Sequence, residues 1–223
     1  RPHRGKVRLR RLQRRVQRYG WDKAAPYYDR LWQSQLEPAQ TALLEMAGLA
    51  RRGRLLDVAC GTGLVTFRAA NLVDPEYEII GTDISEQMIA AARVAARDRG
   101  TANVRFERMD AENLRFSGDE FDTVLCALGL MYVPDPENAV REFYRVLRPG
   151  GRAVAAVWGK RSNCGWAEIF PIVDARVQSD VCPMFFRLGT GDGLQRAFAA
   201  AGFKDLATKR MDARMRYASA DEA

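Results

Sequence analysis

Short apolar segments alternate with amphipathic segments along most of the 223-residue chain, and this alternation constrains the fold more than any other feature. The apolar segments are rich in β-branched residues, which predicts buried strands, whereas the segments between them show helical spacing. Strands that alternate with helices form right-handed crossover units around a mostly parallel sheet. The predicted fold is therefore a doubly wound α/β sheet. The predicted strands are residues 54–59, 77–83, 104–108, 121–127, 152–158 and 203–210.

Local signals mark where several helices begin and end. Ser85 is a predicted N-cap for a helix that Gly100 ends. Asp135 followed by Pro136 is an N-cap with proline at the first helical position, and Gly202 is a natural C-terminal stop. The predicted helices are residues 37–50, 62–72, 85–100, 135–147 and 192–201.

The net charge of +7 lies in the N-terminal arm. Residues 1–18 carry nine lysines or arginines and no acidic residue, which leaves −2 for the rest of the chain. Leu9, Leu12, Val16 and Tyr19 follow one another at helical spacing among the arginines. This pattern predicts a helix lying on the protein or a solvated basic tail, and the alternative is an anionic partner such as RNA or a membrane surface. We assign residues 1–36 to a basic arm and closing segment, and residues 37–223 to the α/β domain.

Cysteine and histidine usage argues against a metal site. The four cysteines show no CxxC spacing, and the one histidine, His3, lies in the arm, so we expect no metal ligands. Cys60 and Cys126 lie in or beside apolar runs, as reduced buried thiols do, which predicts a cytoplasmic location. The chain has no uninterrupted apolar run of about 18 residues, so we expect no transmembrane segment.

Residues that follow the strands are the candidates for a ligand site, because open parallel sheets bind ligands at the C-terminal strand ends, where the strand order reverses. The first strand is followed by a turn that contains Gly61 and Gly63. A dinucleotide-binding fingerprint needs a third glycine where this chain has Thr66. The sequence therefore disfavours NAD.

Three acidic residues share this edge of the predicted sheet. Asp57 lies within the first strand, Asp83 ends the second, and Asp110 follows the third. Three carboxylates repel a pyrophosphate and favour a cationic ligand whose hydroxyl and amine groups donate hydrogen bonds. The helix start at residues 62–64 offers free N–H groups to a carboxylate. Ribose, adenine amine, ammonium, carboxylate and a positive sulfur are combined in S-adenosylmethionine, which is the predicted ligand.

Several stretches carry a resemblance: LLDVACGTG, IIGTDISEQMIAAAR, VRFERMDAENLRF, FDTVLCALGLMYVPDPENAVREFYRVLRPGG and AGFKDL. In this order and spacing, over about residues 28–206, they closely resemble the class I S-adenosylmethionine-dependent methyltransferases, in the branch of ubiquinone-biosynthesis-type and other small-molecule enzymes. The resemblance implies a Rossmann-like methyltransferase sheet, S-adenosylmethionine as cofactor, and methyl transfer by in-line displacement to a small molecule.

The resemblance also implies roles for individual residues. Asp57 would support the cofactor ammonium group through water, Asp83 would accept from the ribose hydroxyls, and Asp110 would accept from the adenine amine. Gly61 and Gly63 would wrap the methionine and ribose portions. The remaining implied contacts are Tyr28 closing over the cofactor, Ala59 at the turn, Ile84 and Met88 against adenine, Ala111 beside Asp110, and Ala127 and Met131 along the methyl-transfer corridor. Structural interpretations of the same residues remain open. The three carboxylates could cap or pair locally, and Tyr28, Met88 and Met131 could simply pack in the core. No general base is assigned.

Acceptor choice is expected to come from residues outside the sheet. The insertion at residues 159–189 is rich in large apolar side chains, which predicts a lid over an apolar or aromatic acceptor; the alternative is a helix packed on the sheet. Cys164 and Cys182 flank it, either as a redox thiol pair or as two small buried residues. The family's final antiparallel strand is expected to be missing from this chain, as by a C-terminal truncation.

Three other functions stay open at this point. A nucleic-acid methyltransferase, such as one acting on RNA, would use the arm. However, CALGLMYV after the fourth strand lacks the Asn/Asp-Pro-Pro-aromatic run of adenine-N6 enzymes. The Cys-Pro pair at residues 182–183 follows the fifth strand rather than the fourth, so a cytosine-C5 nucleophile is disfavoured. A non-catalytic S-adenosylmethionine-binding module has the same motifs. An NAD-dependent oxidoreductase is disfavoured by Thr66 and Asp110. The favoured function is methyl transfer to a small, apolar or aromatic molecule.

Overall fold

The computed structural model describes residues 2–174, 185–217 and 219, and of residues 2–9 only the helical backbone. Its centre is a sheet of five parallel strands in the order β3-β2-β1-β4-β5. The strands are β1 (Arg54–Val58), β2 (Glu78–Asp83), β3 (Val104–Arg108), β4 (Phe121–Ala127) and β5 (Leu147–Ala156). The helices are α1 (Pro2–Ala47), α2 (Leu64–Ala70), α3 (Glu86–Arg99), α4 (Pro136–Val146), α5 (Ile169–Asp174) and α6 (Gly193–Ala201). The predicted doubly wound α/β fold is confirmed.

The central strands β1, β2 and β4 are buried along most of their length because helices cover both faces of the sheet. Leu55 and Leu125 point to one face, where they pack with the end of α1 and with α2 and α3. Leu56 and Val124 point to the other face and pack with α4 and α6. The strand order reverses between β1 and β4, so the carboxyl ends of these two strands form the switch point at which such sheets bind ligands.

Side-chain caps begin two helices where the sequence predicts them. The Ser85 hydroxyl accepts from the backbone N–H of Met88 at 3.1 Å at the start of α3. The Asp135 carboxylate accepts from the N–H of Asn138 at 3.2 Å at the start of α4. The predicted stop is also confirmed at the end of α3, where Gly100 is left-handed.

The N-terminal arm is the first half of one long helix. α1 runs for 46 residues and has Pro26 and Pro38 inside it, so the boundary drawn between residues 36 and 37 falls within a single element. The helix predicted over residues 37–50 is only its C-terminal end. α1 lies across the C-terminal edge of the sheet and packs against α3 and β5.

The last predicted strand, residues 203–210, is wrong. Phe203 packs instead against Tyr144 and Phe198, with ring centroids 5.1 and 5.0 Å apart, and Arg210 donates to the carbonyl oxygen of Gly189 at 3.2 Å. A strand needs a neighbour for its hydrogen bonds, and in the part of the chain that the structure describes β5 pairs only with β4. β5 begins at Leu147, five residues before the predicted start at residue 152, and shifts register opposite residues 121–123.

Among the described residues, no helix combines the length and hydropathy needed to cross a bilayer.

Candidate functional site

A cavity of about 940 Å³ lies at the switch point, between the sheet edge and the inner face of α1. Ten of the twelve residues predicted for the cofactor site line it. They are Tyr28, Ala59, Gly61, Asp83, Ile84, Met88, Asp110, Ala111, Ala127 and Met131. The other two, Asp57 and Gly63, lie behind the wall rather than on it. Met88 and Met131 are buried and also line the cavity. Core packing and contact with a bound cofactor are therefore compatible for both residues.

Asp83 ties together the turns after β1 and β2. Its Oδ2 accepts from the N–H of Gly61 and its Oδ1 from the N–H of Ser85, both at 2.9 Å. Burial raises the pKa of Asp83, and these N–H groups oppose that shift. Each carboxylate oxygen can accept a second hydrogen bond. Asp83 can therefore hold two further donors, such as a pair of vicinal hydroxyls in the cavity.

Gly63 serves packing rather than the cavity wall. Its φ of 90° is left-handed, and a Cβ there would come within 2.8 Å of both Phe67 and Phe106. These two rings pack with centroids 5.5 Å apart. Gly63 thus lets the start of α2 lie close to the aromatic core, and its predicted direct contact with a cofactor is not supported by its position.

Asp57 is a buried carboxylate with one unsatisfied oxygen. It is 1% exposed, and its Oδ2 accepts from the Thr66 hydroxyl at 2.6 Å. Its Oδ1 has no partner among the described residues. Burial raises the pKa of Asp57 to about 7, with a smaller contribution from Asp83 and an opposing one from Thr66. An unpaired buried acceptor is costly, so Asp57 fits a donor or a cation that arrives with a ligand or through water.

Asp110 is paired with an arginine from the arm. The Arg14 Nε lies 2.9 Å from Asp110 Oδ2, and the same guanidinium contacts Glu112. Asp110 Oδ1 accepts from the N–H of Glu112 at 2.9 Å. Burial raises the pKa of Asp110, and Arg14 opposes the shift. The arm therefore supplies a counter-charge to the carboxylate that was predicted to bind the adenine amine.

The inner face of α1 covers the cavity through polar and aromatic contacts. Asp22 accepts from the Ser85 hydroxyl at 2.6 Å, and Asp29 accepts from the Thr62 hydroxyl. The Trp21 ring packs edge-on against Tyr28 and Tyr132, with centroid distances of 5.9 and 5.0 Å. Together with the Arg14 ion pairs, these contacts fix the first half of α1 above the switch point.

The far end of the cavity is aromatic. Trp158 and Trp166 line it and pack 5.5 Å apart, and Trp166 also contacts Phe185 at 5.6 Å. Trp166 and Phe185 belong to the insertion predicted as a lid, while residues 175–184, including Cys182, lie outside the described residues. Cys164 is a free thiol. The lid and the thiol pair therefore remain predictions.

The loops after β1 and β4 meet at the floor of the cavity in strained conformations. Ala59 and Leu128 have φ values of 56° and 59°, a left-handed conformation that is unfavourable for residues with a Cβ. A Cβ on Gly129 would overlap the Cβ of Ala59. Strain of this kind clusters at ligand sites, which agrees with the position of both residues on the cavity wall.

Sequence reasoning missed several lining residues. The main ones are Arg14, Gln17 and Tyr132. Arg14 and Gln17 follow the helical spacing of Trp21 and Tyr28, which could have identified the inner face of α1. Within the described residues, no group of three or more His, Cys, Asp or Glu side chains is placed to hold a metal ion.

Comparisons with known proteins agree with this geometry. A family profile described as "Methyltransferase domain" matches residues 55–151. The Azotobacter vinelandii ubiquinone/menaquinone biosynthesis C-methyltransferase UbiE is 39% identical over 128 residues, which cover 57% of this chain and 51% of that protein. The Stutzerimonas stutzeri UbiE is 33% identical over 162 residues, covering 72% and 62%. The chain thus spans about half the length of most curated relatives it matches.

Solved structures also share the fold. The [4+2]-cyclase SpnF is 28% identical with a TM-score of 0.59, covering 76% of this chain and 58% of SpnF. The Haemonchus contortus phosphoethanolamine N-methyltransferase 2, solved with S-adenosylhomocysteine, aligns with a TM-score of 0.66 over 82% of this chain and 42% of that one. At 21% identity, the second likeness concerns the fold alone.

Proposed function

We propose, from the premise that this chain is a class I S-adenosylmethionine-dependent methyltransferase, that it transfers a methyl group from S-adenosylmethionine to a small apolar or aromatic molecule. The observation that carries the proposal is the switch-point cavity, where Asp83, Asp110 and the Gly61 turn meet beneath α1. Two carboxylates beside a glycine turn, whose backbone can approach the ligand closely, suit a cationic adenosyl ligand better than a pyrophosphate.

The residues at the polar end fit the proposed cofactor. Asp83 would accept the ribose hydroxyls with its remaining lone pairs, and Asp110, oriented by Arg14, would accept the adenine amine. Ile84 and Met88 offer apolar contact to the base. The unpaired Oδ1 of Asp57 supports a water-bridged interaction with the ammonium group. When bound, S-adenosylmethionine supplies a methyl group on a positive sulfur, activated for in-line displacement.

The aromatic end of the cavity supports an apolar or aromatic acceptor. Trp158, Trp166 and Tyr132 would hold a planar or hydrocarbon group and exclude water. Tyr28 and Tyr132 line the cavity, and burial raises the pKa of each phenol above its ordinary value. Their neutral phenols could donate hydrogen bonds to an acceptor oxygen. Orientation of this kind can contribute roughly 7–11 kcal/mol to a bimolecular reaction. The names of the UbiE relatives favour phenols and quinols among the acceptors.

A second candidate is a reaction that uses the fold without methyl transfer. One observation favours it: the similar structure SpnF is named as a [4+2]-cyclase. The two candidates differ in whether the cofactor is consumed.

A methyl-transfer screen tests the proposal and separates the two candidates. The chain would be incubated with S-adenosylmethionine and with phenols, quinols, amines and fatty acids in turn, and both S-adenosylhomocysteine and the methylated product would be followed by mass spectrometry. With a phenol or quinol, we expect S-adenosylhomocysteine and the methylated product to form in equal amounts. A bound cofactor that is never consumed while an acceptor is rearranged would support the second candidate instead.

The proposed compartment is the cytoplasm. Cys60 and Cys126 are buried free thiols, and a reducing environment preserves such thiols.

A further inference from the structure

The outer face of α1 exposes a row of large apolar side chains. Leu12, Val16, Tyr19, Tyr27 and Leu31 are each between 49% and 62% exposed. Their spacing of three, four or eight residues places them on the side of the helix that faces away from the cavity, and none of them lines it. We call these five residues the outer stripe.

The charges around the outer stripe are mostly positive. Arg11, Arg15, Arg18, Lys23 and Arg30 are exposed. By helical spacing Lys23 and Arg30 lie within the stripe, and the three arginines flank it on one side. Lys23 Nζ lies 4.6 Å from the centre of the Tyr19 ring, and the Arg30 Cζ lies 5.9 Å from the centre of the Tyr27 ring.

The acidic residues in this part of the helix are bonded to the α/β domain. Asp22 and Asp29 are the only acids between residues 10 and 31, and both accept hydrogen bonds from the α/β domain, from Ser85 and Thr62. Two arginines also turn inward, where Arg10 pairs with Asp135 at 2.6 Å and Arg14 pairs with Asp110. The exposed surface of residues 11–31 therefore carries five cations beside the outer stripe and one acid, Asp29, which is already bonded to Thr62.

This combination selects among the possible partners. A nucleic acid would satisfy the cations, but Leu12, Val16 and Leu31 gain nothing from phosphates. A second copy presenting the same face would bring cations against cations. A bilayer with anionic headgroups accepts both parts of the face, because the apolar side chains enter the interface while the arginines contact the headgroups.

We propose that the outer stripe and its cations dock this protein on the surface of an anionic lipid bilayer, with α1 parallel to the membrane plane. This inference goes beyond the proposed function and does not rest on it. Because the inner face of the same helix covers the cavity, docking would place the cavity cover at the membrane.

Vesicle co-sedimentation with the full chain tests the proposal. The vesicles are phosphatidylcholine alone or phosphatidylcholine with about 30% phosphatidylglycerol. We expect binding to the anionic vesicles only, weakened by salt. Arg11→Gln with Arg15→Gln should lower the partition coefficient by roughly fivefold per cation, and Leu12→Ser with Val16→Ser should lower it at least as much.

Matched variants control for general effects of charge and hydropathy. Arg51→Gln with Arg52→Gln removes two exposed arginines just beyond the C-terminal end of α1. Leu72→Ser with Val94→Ser removes two exposed apolar side chains, one just after α2 and one on α3. Neither pair should change vesicle binding. S-adenosylmethionine binding should be the same in all four double variants, which shows that each is folded.

Three results would overturn the inference. The first is no vesicle binding, or equal binding to neutral vesicles. The second is a loss of vesicle binding in the control variants that equals the loss in the outer-face variants. The third is that the outer-face variants leave vesicle binding unchanged but abolish tight binding to a single-stranded RNA oligonucleotide, or abolish self-association measured by ultracentrifugation. None of these results bears on methyl transfer, so a failure here leaves the proposed function standing.

Discussion

At the scale of single residues, Asp57 is the most informative group in the site. Its carboxylate is buried, bonded on one oxygen to Thr66 and unpaired on the other. Because burial raises its pKa to about 7, it changes charge near neutral pH, unlike an exposed aspartate. Its protonation should therefore affect both the stability of the fold and the binding of a cation.

The raised pKa predicts a pH-dependent loss of stability. In the folded state Asp57 keeps its proton between its ordinary pKa of 3.8 and about 7, whereas in the unfolded state it releases the proton over that range. The free energy of unfolding should therefore fall as the pH rises through this window, by as much as about 4 kcal/mol from this residue. Urea denaturation at about pH 5 and about pH 8 should show a fall of about 3 kcal/mol, because only the two pH units between pH 5 and the pKa of about 7 contribute.

Asp57→Asn is the matched variant, since the amide keeps the shape and has no charge to titrate. Relative to the wild type, it should gain stability on going from the lower to the higher pH. A difference between the two proteins that does not change with pH would contradict the assigned pKa.

Arg14 should orient Asp110 and hold α1 over the cavity. Replacing it with methionine keeps most of the side-chain volume but removes the ion pairs with Asp110 and Glu112. We expect the Kd for S-adenosylmethionine to rise about tenfold, equivalent to about 1.4 kcal/mol, as measured by isothermal titration. Arg15→Met, one residue along on the exposed side of the same helix, should leave the Kd unchanged. Equal affinities for the two variants would show that Arg14 has no role in the site.

At the scale of elements, the sequence predicts what local patterns determine. Strands β1, β2 and β4 lie inside the sheet and are mostly buried, and β3 at its edge alternates buried and exposed residues. Both patterns are local and have recognisable ends. The capping signals at Ser85 and Asp135 are equally local, because each side chain bonds its own first turn. These elements agree with their predictions within one or two residues.

Elements whose form depends on tertiary partners are predicted poorly. Residues 203–210 have the composition of a strand, but no described strand pairs with them. α1 was predicted as a basic arm and closing segment followed by a separate helix, although prolines inside a helix are unfavourable and two lie within it. It is one helix because its inner face packs along the α/β domain over most of its length, which outweighs the local cost of the prolines.

The contact between the loops after β1 and β4 yields an element-scale prediction. Gly129→Ala should destabilise the protein by about 2 kcal/mol, because its methyl group would overlap that of Ala59. Ala59→Gly removes the overlapping group and relieves a left-handed residue. The double variant should recover most of the stability, as measured by a double-mutant cycle in urea. Additive losses in the double variant would mean that the two loops do not press on each other.

At the scale of the whole molecule, the site joins residues that are far apart in the sequence. The strand ends could be predicted to meet, because parallel strands bring their carboxyl ends to one edge. The contribution of Arg14, Trp21 and Tyr132 could not, since it depends on how α1 and the loop after β4 are oriented toward that edge. The basic arm likewise divides into inward and outward arginines only once the helix is placed.

The central claim is that the carboxylate-lined cavity at the switch point binds S-adenosylmethionine, and isothermal titration of the full chain tests it most directly. We predict saturable binding of S-adenosylmethionine and none of NADH. Asp83→Asn should weaken binding at least tenfold, while Asp98→Asn, the same change on the exposed side of α3, should have no effect. Binding of NADH instead, or unchanged binding of S-adenosylmethionine by Asp83→Asn, would contradict the account.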